Sequence, residues 1–264
     1  VGDWFERQLW PFRNPTDGPI RESGELLAAE LSRLRKAHPD AHVTLVAHSM
    51  GGLDARTALE DAELDPGNVG QLIMVATPNQ GSHLAYLPGG FDLLEHVAKR
   101  NTDVGRFKAS WKDGLNEARS NLRPDSKFLR ELNSRPRNPR VRYSILLGDS
   151  AALSTEAVAE VTRLLKTAQG KSKTLTFLNT RLDPILNDTL EFTRAQRDGV
   201  GAVERGRLTG VEDTVVLSFS HNAITGKLAT EAERTLPHAI AARRDRALKN
   251  MLPCPHPPPW TPRR

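Results

Sequence analysis

The sequence predicts an α/β fold built on a mostly parallel, doubly wound sheet. Two observations carry this. Val43-Thr44-Leu45-Val46-Ala47 and Leu72-Ile73-Met74-Val75-Ala76 are short, nearly all-apolar runs, as in strands covered on both faces. Between them, Leu53 to Glu63 reads as a helix, and strand–helix–strand at this spacing is a βαβ unit. With 264 residues, the chain can bury a substantial core in one large α/β domain.

Taken in order, residues 1–20 are irregular, with Trp4, Trp10 and three prolines and room for one early strand near Trp4 or Trp10. From Ser23, Leu26, Leu27, Leu31 and Leu34 recur at helical spacing, with Glu25, Glu30, Arg33 and Lys36 between them, and Pro39 stops the helix. The first strand, the helix and the second strand follow. Residues 82–140 hold no clear strand and read as helices and loops, with helices at Phe91 to Lys99 and Ser126 to Leu132. Val141 to Leu147 is a third strand, and Val215-Val216-Leu217-Ser218-Phe219 a fourth. Residues 154–168 have a helical pattern, Lys171 to Gln196 fits no single class, and Ala229 to Lys249 contains a closing helix. The tail has six prolines between Pro253 and Pro262 and is expected to be extended or disordered.

Composition narrows the function classes. The net charge of +5 is modest and scattered, without the basic stripe and interleaved aromatics of a nucleic-acid binder, so no nucleic-acid partner is expected. A single cysteine, Cys254, excludes an intramolecular disulfide. No run approaches the ~20 apolar residues of a membrane helix. The start lacks the charged-then-apolar layout of a signal peptide, which leaves localisation open between a cytoplasmic default and secretion. No cofactor and no metal site is expected.

The most informative stretch is Val46-Ala47-His48-Ser49-Met50-Gly51-Gly52, at the junction of the first strand and the following helix. That is the context of a nucleophile elbow, a G-x-S-x-G-type turn whose first glycine is here Ala47. Such a turn strains the serine backbone and lifts the hydroxyl above the carboxyl edge of the sheet. Side chains two residues to either side are expected to meet neighbouring backbone, which Ala47 and Gly51 avoid. The Met50 amide at the helix start is the candidate oxyanion donor. The competing reading is an ordinary strand–turn–helix with an incidental serine.

A serine hydroxyl needs a base, and the base an orienting acid. Of eight histidines, His221 closely follows the fourth strand and so lies where a base is wanted. Asp198 in Arg197-Asp198-Gly199-Val200 precedes it by 23 residues, room for a short helical piece and one strand. Asp149, just past the third strand, is the alternative acid, whereas Asp213 lies at the wrong end of the fourth. His48 and His83 are candidate substrate-binding residues, with plain packing or exposure as the alternative for each.

These residues carry a family resemblance. Leu45 through Arg56, Met74-Val75-Ala76-Thr77-Pro78-Asn79-Gln80-Gly81-Ser82, Leu122 through Asn133, and Asp198-Gly199-Val200 with Arg207-Leu208 and His221 together resemble bacterial lipases and the related GPI-inositol-deacylase-like hydrolases. The resemblance covers roughly residues 22–147 and 196–226. It implies an α/β-hydrolase fold over residues 1–250, with a helical cap at about 82–135 inserted after the strand that follows the elbow and a Pro-rich tail at 251–264. It also implies Ser49 as nucleophile, Asp198 as acid and His221 as base, acting on a small-molecule ester or lipid with at most transient contact with a lipid surface. One departure stands out: only 42 residues precede Val43, and they hold no His-Gly pair of the kind that supplies a second oxyanion donor in such enzymes. An N-terminally shortened member is therefore expected, its second donor unknown. Two other readings use the same residues: a weak or inactive hydrolase-fold binding protein, and an acyltransferase. The sequence does not give an oligomeric state.

Overall fold

The computed structural model describes residues 11–12, 18–82, 85, 116–148, 200–219 and 235–249. In chain order the elements are α1 (Ile20–Ala37), β1 (Val43–His48), α2 (Gly51–Leu59), β2 (Val69–Val75), α3 (Asn116–Asn121), α4 (Lys127–Ser134), β3 (Arg142–Gly148), α5 (Val200–Gly206), β4 (Thr214–Leu217) and α6 (Thr235–Lys249).

The four strands form one parallel sheet in the order β1-β2-β3-β4. The register aligns His48 with Val75, Val75 with Leu146 and Gly148 with Leu217, so the strands end close to one level. Alternation along β2 splits the core in two. Leu72 and Met74 join Leu27, Leu31, Ala55, Leu59, Ile145 and Val203 on one face, beneath α1, α2 and α5. Ile73 and Val75 join Leu146, Phe219 and Leu236 on the other, beneath α6. This is the parallel, doubly wound α/β arrangement that the sequence predicts.

Helix α1 starts directly after Pro19, three residues earlier than the leucine spacing suggests. Glu22 in its first turn and Arg35 and Lys36 in its last suit the helix dipole. It buries Ile20, Ser23, Gly24, Leu27, Ala28 and Leu31. The stripe thus runs through Leu27 and Leu31, whereas Leu26 is half exposed. Burying Leu27 and Leu31 contributes about 1.5–3 kcal/mol each. Gly24 lets α1 approach α2 closely, since a Cβ there would lie 2.6 Å from Thr57 Cβ.

The sheet departs from expectation at β1. Its apolar run predicts burial on both faces, but Val46 is 49% exposed. Val43, Leu45 and Ala47 pack on the α1–α2 side. Val46 belongs to no core cluster among the described residues, because β1 ends the described sheet and α6 lies over β2 instead. The early strand sought near Trp4 or Trp10 lies outside the described residues, as do the helices at 91–99 and 154–168, the 171–196 stretch and the tail.

The described part of the segment between β2 and β3 carries α3 and α4, with turns and loops on either side of them. Ser126 caps α4 through its hydroxyl, which accepts from the Leu129 amide at 3.1 Å. Leu122, Leu129 and Leu132 pack with Leu53 of α2, Ile20 of α1 and Ala85, with Met50 against the same cluster. Helix α3 carried no clear sequence signal. Among the described residues no helix is long and apolar enough to cross a membrane, and no three His, Cys, Asp or Glu side chains gather to hold a metal ion.

Candidate active site

β1 delivers the chain to Ser49, and α2 carries it away. The Ser49 amide donates to Val75 O at 2.9 Å, extending the β1–β2 ladder by one residue. The Ser49 backbone is left-handed, with φ 53°. For a residue with a Cβ that conformation costs roughly 1–2 kcal/mol, and strain of this kind clusters at functional sites. Helix α2 begins at once, with Leu53 and Asp54 amides returning to Met50 O at 2.8 and 3.2 Å. Amides in the first turn of a helix have no intrahelical acceptor and favour negative charge nearby. The hydroxyl-bearing turn therefore adjoins the positive end of α2, where the Gly52, Leu53 and Asp54 amides are themselves taken by Ser49 O and Met50 O.

The steric demand falls elsewhere than expected. A Cβ at Gly51 meets nothing within 4 Å among the described residues, whereas a Cβ at Gly52 would lie 2.0 Å from Thr77 Oγ1 and 2.6 Å from Thr77 Cγ2. Gly52 is the position that must be small, because the post-β2 chain passes directly beneath the first turn of α2. A second non-glycine left-handed residue, Ala76 (φ 50°), sits at the end of β2 beside Ser49. Nothing in the sequence around Ala76 signals this turn.

His48 is the last residue of β1 and is partly buried. Strand alternation turns it away from the Ala47 side, toward the face that carries Val46. His83, Asp149, Asp198 and His221 lie outside the described residues. What is described is their approach. β3 ends at Gly148, α5 begins at Val200, two residues after Asp198, and β4 ends at Leu217, four residues before His221. Asp213 is committed elsewhere: at the start of β4 its carboxylate accepts from Arg243 at 2.8 and 3.1 Å and from Ser144 Oγ at 2.7 Å.

Behind the serine turn lies a buried polar junction that sequence reasoning missed. Arg56 of α2 is fully buried. It donates to both Glu60 oxygens at 3.1 and 3.2 Å, to Asn79 Oδ1 at 3.0 Å, to Asn133 Oδ1 at 3.0 Å and to Leu132 O at 3.4 Å. Arg137 adds a contact to Glu60 at 2.8 Å. Burial pushes the Glu60 carboxyl above the usual carboxylate range, and the guanidiniums of Arg56 and Arg137 oppose that push. The Arg56–Glu60 spacing of four was legible as a helical ion pair. Its burial was not.

Residues 27–118 match the family model of the PGAP1-like alpha/beta domain. Among curated proteins, none matches the chain. Solved structures that it resembles include the mature form of Bacillus licheniformis lipase BlEst2, at 18% identity and TM-score 0.47 over 86% of this chain and 75% of that one. The propeptide form of the same lipase gives 19% and 0.48, over 84% of this chain and 41% of that one. Phospholipase PlaB from Legionella pneumophila gives 18% and 0.36, over 54% of this chain and 30% of that one. The match to the PGAP1-like alpha/beta domain over residues 27–118 and the parallel sheet with helices on both faces together give the chain the α/β-hydrolase fold.

Proposed function

We propose that the chain is a lipolytic serine hydrolase that cleaves carboxylic esters through an acyl-enzyme on Ser49. The observation that carries the reading is the left-handed serine at the junction of a parallel strand and a helix. In this reading Ser49 Oγ attacks the ester carbonyl and its proton passes to His221. The tetrahedral oxyanion accepts a hydrogen bond from the Met50 amide. Collapse breaks the bond to the alkoxide, which takes the proton from His221 as it leaves. A water molecule, deprotonated by the same imidazole, then attacks the acyl-enzyme and frees the acid and Ser49. Asp198 holds the imidazole in the tautomer that can accept from serine. The helices between β2 and β3, part of a cap at about 82–135 on a domain running to about residue 250, would give an apolar wall beside Met50. His48 and His83 are proposed to border the substrate.

The test is covalent labelling by a fluorophosphonate, read by intact mass, on the chain and on Ser49→Ala. One adduct on the first and none on the second is expected. The labelling rate should fall as pH drops through the titration of His221, near ~6.5 for an unperturbed imidazole. A rate that stays flat from about pH 8 to about pH 5 removes His221 from the base role. No adduct on a chain that melts cooperatively would leave a non-catalytic binding protein on this fold.

A further inference from the structure

Asn79 is fully buried, and each of its polar groups is engaged. Its side-chain oxygen accepts from Arg56 at 3.0 Å, its side-chain nitrogen donates to Gly206 O at 2.8 Å, and its carbonyl accepts from Asn133 Nδ2 at 2.9 Å. One short side chain therefore joins α2, which leads away from Ser49, to the last residue of α5. The orientation of the amide is dictated. A guanidinium only donates, so the oxygen must face Arg56 and the NH2 must face Gly206.

Helix α5 has seven residues and cannot hold its own place by helical propensity. Its final carbonyls have no intrahelical donor. The post-β2 loop supplies both: the Gln80 amide reaches Arg205 O at 2.8 Å beside the Asn79 bond to Gly206 O. The C-terminal cap of α5 thus comes from the loop that Arg56 locks to the nucleophile's helix.

We propose that Asn79 is a positioning residue that fixes α5, and the Asp198 segment leading into it, against the helix that follows Ser49. The inference rests on the Ser49–Asp198–His221 reading above. Asn79→Asp isolates it. The new carboxylate keeps the Arg56 contact but turns an acceptor oxygen toward Gly206 O, so the α5 link is repelled while the α2 link is kept.

The experiment measures fluorophosphonate labelling rate against pH, per folded molecule, for the wild type, Asn79→Asp, Asn79→Ala and Asp198→Ala. A displacement of the acid by about 1 Å is expected to slow labelling by about 10²-fold. The acidic limb of the profile should also move to lower pH, because an imidazole that loses its carboxylate neighbour is less basic. A purely structural role would lower the folded fraction and leave that limb in place. Slow labelling with a displaced limb in either Asn79 variant supports the proposal. A wild-type rate and limb in the folded fraction of both overturns it. If Asp198→Ala labels like the wild type, the acid assignment fails first, and the inference falls with it for that separate reason.

Discussion

Ser49 and Gly52 show how much of the site is decided by single backbone positions. Ser49 holds φ 53° because β1 pairing through Val75 O and the first turn of α2 constrain it from both sides. Three residues on, Gly52 leaves room for Thr77, itself buried. The two glycines of the Ser49 turn are therefore expected to differ sharply. Gly51→Ala should lie within about 0.5 kcal/mol of the wild type, as substitutions that meet nothing do. Gly52→Ala drives a Cβ into Thr77 and should cost about 1–3 kcal/mol, as overpacking does. Urea unfolding of the two variants checks this. Equal losses would mean that the helix start, and not Thr77, sets the demand. The same turn was readable in the sequence from its Ser-x-Gly-Gly spacing, whereas the identity of the crowded glycine was not, because Thr77 lies beyond the reach of local pattern.

At the scale of elements, α2 does more than carry the serine. It is buried along almost its whole length, between α1, β1 and the α3–α4 segment. A charged residue is tolerated there because Arg56 is fully matched by Glu60, Asn79, Asn133 and the Leu132 carbonyl. Breaking a buried pair by removing one partner typically costs about 3–5 kcal/mol, since the other charge stays buried. Arg56→Met should therefore destabilise by about that amount, and Arg56→Met with Glu60→Gln by less than the sum of the singles. A double-mutant cycle in denaturant measures both. Additive losses would show that the two side chains act independently.

For the whole molecule, alkaline stability is set in part by Tyr143 on β3. Burial first, and the Glu60 charge second, push its phenol above the ordinary range, while the Asn138 amide, donating to the phenol oxygen at 3.3 Å, acts the other way. A raised folded-state value means that the protonated phenol's contribution is fully present below the unfolded value of about 10 and is lost as pH rises above it. The slope for one such group is about 1.4 kcal/mol per pH unit. The wild type should thus lose stability faster than Tyr143→Phe above about pH 10, with parallel curves below it. Denaturant titrations from pH 8 to 11 decide this, and curves parallel throughout would mean that Tyr143 ionises freely in the fold.

The sequence by itself determined the four described strands and their order, the helices α1, α2, α4 and α6, the serine turn at the end of β1 and the Ser126 start of α4. These follow from local rules: apolar runs of strand length, leucines at helical spacing, and hydroxyl or glycine residues where the backbone must turn. It did not determine which faces would be covered. Leu26 and Val46 belong to apolar patterns and yet stand exposed, because coverage depends on where α2 and α6 come to rest. Nor could it join Asn79 to Arg56 and to Gly206, partners 23 and 127 residues away in the chain. A hydrogen-bond junction of that kind has no period to read. It exists only once the sheet has brought the post-β2 loop, α2 and the end of α5 together, and the burial that results is what makes each of its bonds obligatory.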